Sequence, residues 1–443
     1  MSLTERKTLI VGLGRSGASA VRLVKKHGAR VAITDVRSAA DLAEQLAPIA
    51  SLVEQVETGG HTEKMFRWAA LVVVSPGVPP ALAIFEVARE NGAEIIGEIE
   101  LAYRYLGCPM IGITGTNGKS TVTELLGAMV RAAGFNAFVG GNLGTPLAEA
   151  ALAEEPYDLA VVELSSFQLE AVRTMRAVVG ALLNVEPDHM NRYDSFPDYV
   201  RAKTNLFAGQ LPTDAAVFNA RDEQVMAQIR RVKSRLFTFG TSQSNAWTEG
   251  DTLYLRGQKF DDAIDIGEFS LPGDHNRLNL QAAALMARLV GADPAAIELA
   301  ASTFTGLAHR IEELGERDGV LFINDSKATA AASVRIALAA MQRPVVLILG
   351  GRDKGADWAE LEYGLLPKVR AVVAYGEAAA KIQQTMTMVP VHVVGPFGEA
   401  LQAAANLARP GEAVLLSPGC ASFDQFRNFE ERGDAMREWL AKR

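Results

Sequence analysis

Ile111-Gly112-Ile113-Thr114-Gly115-Thr116-Asn117-Gly118-Lys119-Ser120-Thr121 reads as a buried strand, a glycine turn and the first turn of a helix. Glycines let the backbone fold tightly enough for successive N–H groups to face an anion. The lysine supplies positive charge for the outer phosphates, and the paired hydroxyls offer a hard oxygen ligand to Mg2+. The strict phosphate-loop spacing would place glycine where Ile113 stands, so the segment is a variant of that loop. Gly115, Thr116, Asn117, Gly118, Lys119, Ser120 and Thr121 are its candidate ATP contacts. A strand that runs through a glycine turn into a helix belongs to a parallel sheet covered by helices, so the fold class is α/β.

Working outward, short apolar or β-branched runs alternate with Ala-rich amphipathic stretches, and the pattern restarts twice. Thr8 to Val11, Val31 to Thr34 and Leu71 to Val74 are the strands of a first unit ending near Tyr105. Met110 to Thr114, Leu159 to Glu163 and Val179 to Asn184 belong to a second, followed by a hairpin over Ala246 to Arg256 and a helix from near Asn276. Val320 to Ile323, Val345 to Leu349, Val372 to Tyr375 and Ala413 to Leu416 form a third. The expected domains are residues 1–105, 106–307 and 308–443. In 443 residues, 44 Lys and Arg stand against 52 Asp and Glu, a net charge of -8 that repels polyanions and argues against a nucleic-acid partner. The apolar stretch from Leu71 to Phe85 is broken by Pro76, Gly77, Pro79 and Pro80, too short for a membrane span. The start, Thr4-Glu5-Arg6-Lys7, lacks the pattern of a signal peptide, and two cysteines, Cys108 and Cys420, make no disulfide framework. A cytoplasmic protein is expected.

Gly12-Leu13-Gly14-Arg15-Ser16-Gly17 follows the first strand and opens a helix, with Asp35 at the end of the next strand. Taken alone, the spacing is a dinucleotide fingerprint, and a nicotinamide-dependent oxidoreductase is one reading of it; a tight strand–helix turn is the other. Asp35 and Arg37 are candidates to contact a ribose or uracil, or are simply a polar strand end. In the second unit Glu163 closes a strand, where open sheets place their catalytic groups, and Asp188 and His189 follow a neighbouring strand. Carboxylate and imidazole at adjacent strand ends suit a metal as well as they suit structure. Lys203, in Tyr199-Val200-Arg201-Ala202-Lys203, reads by composition as a solvated helix face. Only conversion of its neutral amine to a carbamate would make it an oxygen ligand.

The strings Thr114 to Thr121, Glu163 to Glu170, Asn184 to Arg192 and Asn324-Asp325-Ser326-Lys327-Ala328-Thr329 together resemble the ATP-dependent Mur ligases. Gly140 to Gly144, Pro272 to Asn276, Gly306 to Glu312, Gly350 to Gly355 and Ser417 to Asp424 extend the likeness, in order, over nearly the whole chain. Asp325 to Thr329 is similar to the branch that adds D-glutamate to UDP-N-acetylmuramoyl-L-alanine. The resemblance implies a Rossmann-like N-terminal domain for the uridine nucleotide, a central ATPase and a Rossmann-like C-terminal domain that closes over the site. It also implies a monomer, without nicotinamide, membrane or nucleic acid.

On this resemblance Gly14, Arg15, Ser16, Asp35, Arg37, Asn142 and His189 contact the UDP substrate. Lys119 clamps the phosphates. Ser120 and Glu163 hold one Mg2+, and His189 with a carbamate on Lys203 holds a second. Asn276, Arg310 and Asp325 contact ATP, while Lys327, Thr329, Lys354, Ser422 and Phe429 form the D-glutamate pocket. From the residues alone, Lys354 also reads as a solvated loop lysine and Ser422 as the N-cap of a helix over Phe423 to Arg427. The family string continues with asparagine where Ala330 stands, followed by Ala331 and Ala332, which favour an Ala-rich helix start. A folate-polyglutamating synthetase is the nearest rival, and the N-terminal glycine loop argues against it.

Overall fold

The computed structural model describes every residue except Met1, Pro80, Leu143, Asn191, Lys354, Leu366 and Pro367. Its strands form three sheets. In the first, β1 (Lys7–Val11), β2 (Arg30–Asp35), β3 (Gln55–Thr58), β4 (Leu71–Val74) and β5 (Glu94–Gly97) lie in the order β3-β2-β1-β4-β5, all parallel. Alternation along β1 sends Leu9 and Val11 into a core with Phe66 and Phe85, and Ile10 into the opposite core with Leu23 and Val24.

The second sheet carries β6 (Met110–Thr114), β7 (Ala137–Gly141), β8 (Leu159–Glu163), β9 (Val179–Leu182), β10 (Ala215–Asn219) and β11 (Arg235–Phe239). It then continues through β12 (Ala246–Glu249), β13 (Thr252–Gly257) and β14 (Phe260–Asp265). The order is β14-β13-β12-β11-β10-β9-β6-β8-β7, parallel except where β12, β13 and β14 run antiparallel. The hairpin expected over Ala246 to Arg256 is β12–β13, and β14 adds a third strand beyond it. The expected strand to Asn184 stops at Leu182, because Asn184 turns away to bond the phosphate loop.

The third sheet holds β15 (Glu312–Arg317), β16 (Val320–Asn324), β17 (Val345–Gly350), β18 (Val369–Tyr375), β19 (Val391–Val393) and β20 (Ala413–Leu416), ordered β15-β16-β20-β17-β18-β19. Only the β15–β16 pair is antiparallel. The chain resolves into two compact units, residues 1–269 with 275–304, and residues 270–274 with 305–443. The first contains the first two sheets and the second contains the third.

Candidate active site

In an open parallel sheet ligands collect at the carboxyl ends of the strands, where the order of connection reverses. β6 occupies that position, flanked by β8 and β9, so its glycine loop meets the ends of both neighbours. The loop enters the helix Lys119–Ala132 at Gly118, whose φ is +83°. A Cβ there would lie 2.5 Å from Asn279 Oδ1, so the left-handed turn and the close approach both demand glycine. Asn184, beyond β9, accepts from the Asn117 N–H at 2.7 Å and donates to the Asn117 carbonyl at 3.0 Å. Lys119 Nζ donates to the Gly115 and Thr116 carbonyls at 3.1 and 2.9 Å, folding back across the loop. Ser120 and Thr121 are buried behind it.

Glu163 ends β8 with its side chain buried. Its two carboxylate oxygens divide the work: Oε2 accepts from the Ser120 hydroxyl at 2.6 Å, and Oε1 accepts from the Asn142 amide at 2.9 Å. The Asn142 N–H reaches the Glu163 carbonyl at 2.9 Å, which binds the loop after β7 to the end of β8. Hydroxyl and carboxylate oxygens thus meet at the mouth of the phosphate loop.

Lys203 lies on the helix Phe196–Thr204 and is 2% exposed, so the solvated-face reading is wrong. Its Nζ donates to the Gly115 carbonyl at 2.7 Å and sits 4.6 Å from the centroid of the Tyr199 ring, one helical turn earlier. Burial, reinforced by the charge of Lys119, lowers its pKa well below the ordinary lysine value, while Asp188 and Glu163 oppose the shift. Tyr199 also bonds Thr116 Oγ1, at 3.1 Å.

His189 adopts φ +56°, a conformation that costs a non-glycine residue about 1 kcal/mol or more and is held by its own N–H bond to Asp188 Oδ1 at 2.8 Å. Its ring packs 4.8 Å from Phe167 and 6.4 Å from Tyr199. The structure therefore gathers Lys119, Ser120, Asn142, Glu163 and Lys203 around one loop, with His189 reaching it through Tyr199. Tyr199 and Asn184 have no role assigned in the sequence reading above. Tyr199's spacing of four from Lys203 was the available signal.

The first glycine loop is braced from within. Gly17 meets the Gly12 carbonyl so closely that a Cβ would stand 2.3 Å from it. Asp35 accepts from the Leu13 N–H at 2.7 Å and pairs with Arg37 at 2.7 Å, and Arg37 also donates to the Leu13 carbonyl at 3.0 Å. Burial pushes the Asp35 carboxyl up, but the bonds from Arg37 and Leu13 outweigh it and bring the pKa to about 2. Asp35 is thus committed to its own loop. Gly14 is the N-cap of the helix Arg15–Lys26, which puts Arg15 and Ser16 in its first turn.

In the second unit β16 and β20 are paired so that Asn324 lies opposite Leu416, which brings Asp325 and Ser417 together just beyond the strand ends. Ser417 donates to Asp325 Oδ2 at 2.7 Å and the Ile311 N–H to Oδ1 at 3.2 Å. Burial raises the Asp325 carboxyl to about 7, against the Ser417 hydrogen bond and the charge of Arg310. Lys327 donates its N–H to the His309 carbonyl at 3.0 Å, and Lys327 and Thr329 are half-buried. Ser422 is buried, but residues 423–425 form a turn and no helix covers 423–427. The helix begins at Phe429 and is capped by Asn428, so the N-cap reading of Ser422 does not hold. The helix Ala331–Ala340 does start in the alanine cluster, with Ala330 at its N-cap position. Asn276 is buried beside Asn279, which donates to it at 3.1 Å, and Lys354 falls outside the described residues.

A phosphate loop with a hydroxyl–carboxylate pair and two lysines, in a chain of three α/β sheets, defines a nucleotide-dependent phosphoryl-transfer enzyme. Comparison makes the class specific. Residues 6–97 match the Mur ligase MurD-like N-terminal domain, 113–287 the Mur ligase middle domain and 309–420 the Mur ligase glutamate ligase domain. UDP-N-acetylmuramoylalanine--D-glutamate ligase of Anaeromyxobacter dehalogenans is 44% identical, over 97% of this chain and 96% of its own length. The enzyme of the same name from Desulfosudis oleivorans is 42% identical, over 97% and 95%. Among solved structures, UDP-N-acetylmuramate-alanine ligase MurC of Thermotoga maritima shares the fold at a TM-score of 0.63 and 18% identity, covering 98% of this chain and 99% of its own. A pseudomurein peptide ligase type C from Methanothermus fervidus gives 0.62 and 18%, over 99% and 100%. The chain belongs to the Mur ligase family.

Proposed function

We propose that the protein is an ATP-dependent ligase that joins D-glutamate to UDP-N-acetylmuramoyl-L-alanine in the cytoplasmic assembly of peptidoglycan precursors. The observation that carries this reading is the Glu163 carboxylate, shared between Ser120 and Asn142 at the mouth of the phosphate loop. Relatives at 38 to 44% identity over nearly the full chain are D-glutamate ligases by name. Among the described residues no helix is long and apolar enough to cross a membrane. Residues 1–105, 106–307 and 308–443 are the UDP-substrate, ATPase and amino-acid domains of this reading.

The substrate carboxylate takes the γ-phosphoryl group, ADP departs, and the D-glutamate amine attacks the acyl carbon and expels phosphate with loss of a proton. Three anions must be brought together, so cations placed in advance lower the barrier. Lys119 holds the phosphates, and the loop N–H groups orient them. Gly14, Arg15, Ser16 and the loop braced by Asp35 and Arg37 bind the diphosphate and uracil, with Asn142 and His189 toward the sugar. Asn276, Arg310 and Asp325 contact ATP; Lys327, Thr329, Lys354, Ser422 and Phe429 receive D-glutamate.

Among the described residues no group of three or more His, Cys, Asp or Glu is placed to hold a metal unaided. The buried hydroxyl–carboxylate pair fits Mg2+, which takes few protein ligands and fills its shell from phosphate and water. Ser120 and Glu163 would hold one ion, and His189 with a carbamate on Lys203 a second, the ions supplying charge neutralisation. The depressed pKa of the buried Lys203 supports a neutral amine able to take up CO2. Phosphate release should require ATP, the UDP substrate and D-glutamate together. ATP turnover independent of the last two, or equal rates across a panel of D- and L-amino acids, would overturn the assignment.

A further inference from the structure

Arg432 lies on the helix Phe429–Ala441 and is wholly buried, yet the acceptors around its guanidinium are neutral oxygens. Nε donates to Ser326 Oγ at 2.9 Å and Nη2 to the Ser326 carbonyl at 2.8 Å. Nη1 donates to the Tyr375 hydroxyl at 3.2 Å, and both Nη1 and Nη2 reach the Cys420 carbonyl at 3.2 Å. A buried cation bonded to carbonyls and hydroxyls burdens folding, since among the described residues no carboxylate pairs with it to offset its lost hydration. A well-packed apolar side chain would serve stability as well, which points to function.

The acceptors belong to the segments that carry the proposed amino-acid pocket. Ser326 stands between Asp325 and Lys327, and Cys420 is two residues before Ser422. The helix that bears Arg432 opens with Phe429, whose carbonyl accepts from Ser326 Oγ at 2.8 Å. One planar fork thus ties together the loop after β16, the turn after β20 and the start of the last helix. Resting on the amino-acid pocket reading, we propose that Arg432 is the positioning residue of that pocket. It fixes the spacing of Lys327, Thr329, Ser422 and Phe429, and it sets a permanent positive charge behind them that a dicarboxylate amino acid meets favourably.

The test uses the full-length enzyme with Arg432→Lys, which keeps the charge and loses the fork, Arg432→Met, which loses both, and Lys327→Ala as the pocket control. Separate KM values for D-glutamate, ATP and the UDP substrate are the readout, with melting midpoints alongside. Arg432→Lys should raise the KM for D-glutamate at least about tenfold and leave the other two within about twofold, with Arg432→Met worse. An unchanged D-glutamate KM in Arg432→Lys, or a parallel rise in all three, overturns the proposal so long as Lys327→Ala raises the D-glutamate KM. If Lys327→Ala leaves it unchanged, the pocket reading itself has failed. Should the Arg432 variants not fold, Tyr375→Phe removes one acceptor and keeps the arginine. A selective rise of about threefold or more in its D-glutamate KM supports the role, and no rise overturns it.

Discussion

A lysine at 2% exposure beside a second lysine is an unfavourable arrangement unless one of the two gives up its charge. Lys203 does so most readily, since it is the more deeply buried, and the Tyr199 ring and Gly115 carbonyl hold its nitrogen in place. Lys203→Ala is therefore expected to cut turnover by more than ~100-fold, with part restored by acetate or another short carboxylate. Lys203→Arg, which cannot form a carbamate, should be as inactive; full turnover in either variant excludes the ligand role. Gly118 makes a second demand at this scale. Gly118→Ala combines a left-handed backbone with a Cβ 2.5 Å from Asn279 Oδ1. The strain, about 1 to 2 kcal/mol, should weaken ATP binding about tenfold, read by titration calorimetry.

At the level of elements, the short turn after β8 matters more than its length suggests. Ser165 and Gln168 cap it reciprocally, and Gln168 Nε2 also donates to Glu98 Oε1 at 2.9 Å, at the start of the helix Glu98–Arg104. That bond links the first sheet's last helix to the segment that carries Phe167, whose ring packs on His189 and under Arg192. Glu98 is fully buried, and burial drives its carboxyl up from 4.5 to about 6 despite the Gln168 bond. The folded pKa exceeds the unfolded one, so the native state binds the extra proton between them. The stabilisation is complete below the unfolded value and lost as pH rises through the folded value, a swing of about 2 kcal/mol. Glu98→Gln should accordingly melt higher than the parent above pH 6 and gain nothing below pH 4.5. Parallel melting curves for the two proteins from pH 4 to 8 would show that Glu98 does not titrate in this way.

Across the whole molecule, the first two sheets lie in one unit, and two acids, the buried Glu100 and the half-buried Glu149, bridge their elements. Glu100 accepts from Arg104 Nε at 2.9 Å on its own helix, and from the N–H groups of Arg173, Thr174 and Met175 and the Thr174 hydroxyl on the far side. Glu149 takes Ser19 and Arg22 in the same way. Glu100→Ala strands five donors, the Met175 N–H fully buried and the other four part-buried, and should cost about 3 kcal/mol or more, lowering the melting midpoint by several degrees. A midpoint within one degree of the parent would mean that water satisfies those donors and that the bridge is not structural. The net charge of -8 belongs to this scale as well. A chain that repels phosphates overall binds them through local lysines and helix N-termini, so raising ionic strength should weaken ATP binding only modestly.

Local order along the chain determined the α/β class, the strands β1, β4, β6, β8 and β20, and the glycine loops, because turn chemistry and residue periodicity act between near neighbours. The family resemblance was legible for the same reason, since its strings are contiguous. The pairing of β6 with both β8 and β9 brings Ser120, Asn142 and Glu163 to one point, and only the assembled sheet decides it. Burial was equally invisible: Lys203 looks solvated by composition, and Arg432 looks like any surface arginine, until distant segments close over them. Desolvation and long-range hydrogen bonding depend on which residues meet in space, and that is a property of the packed fold.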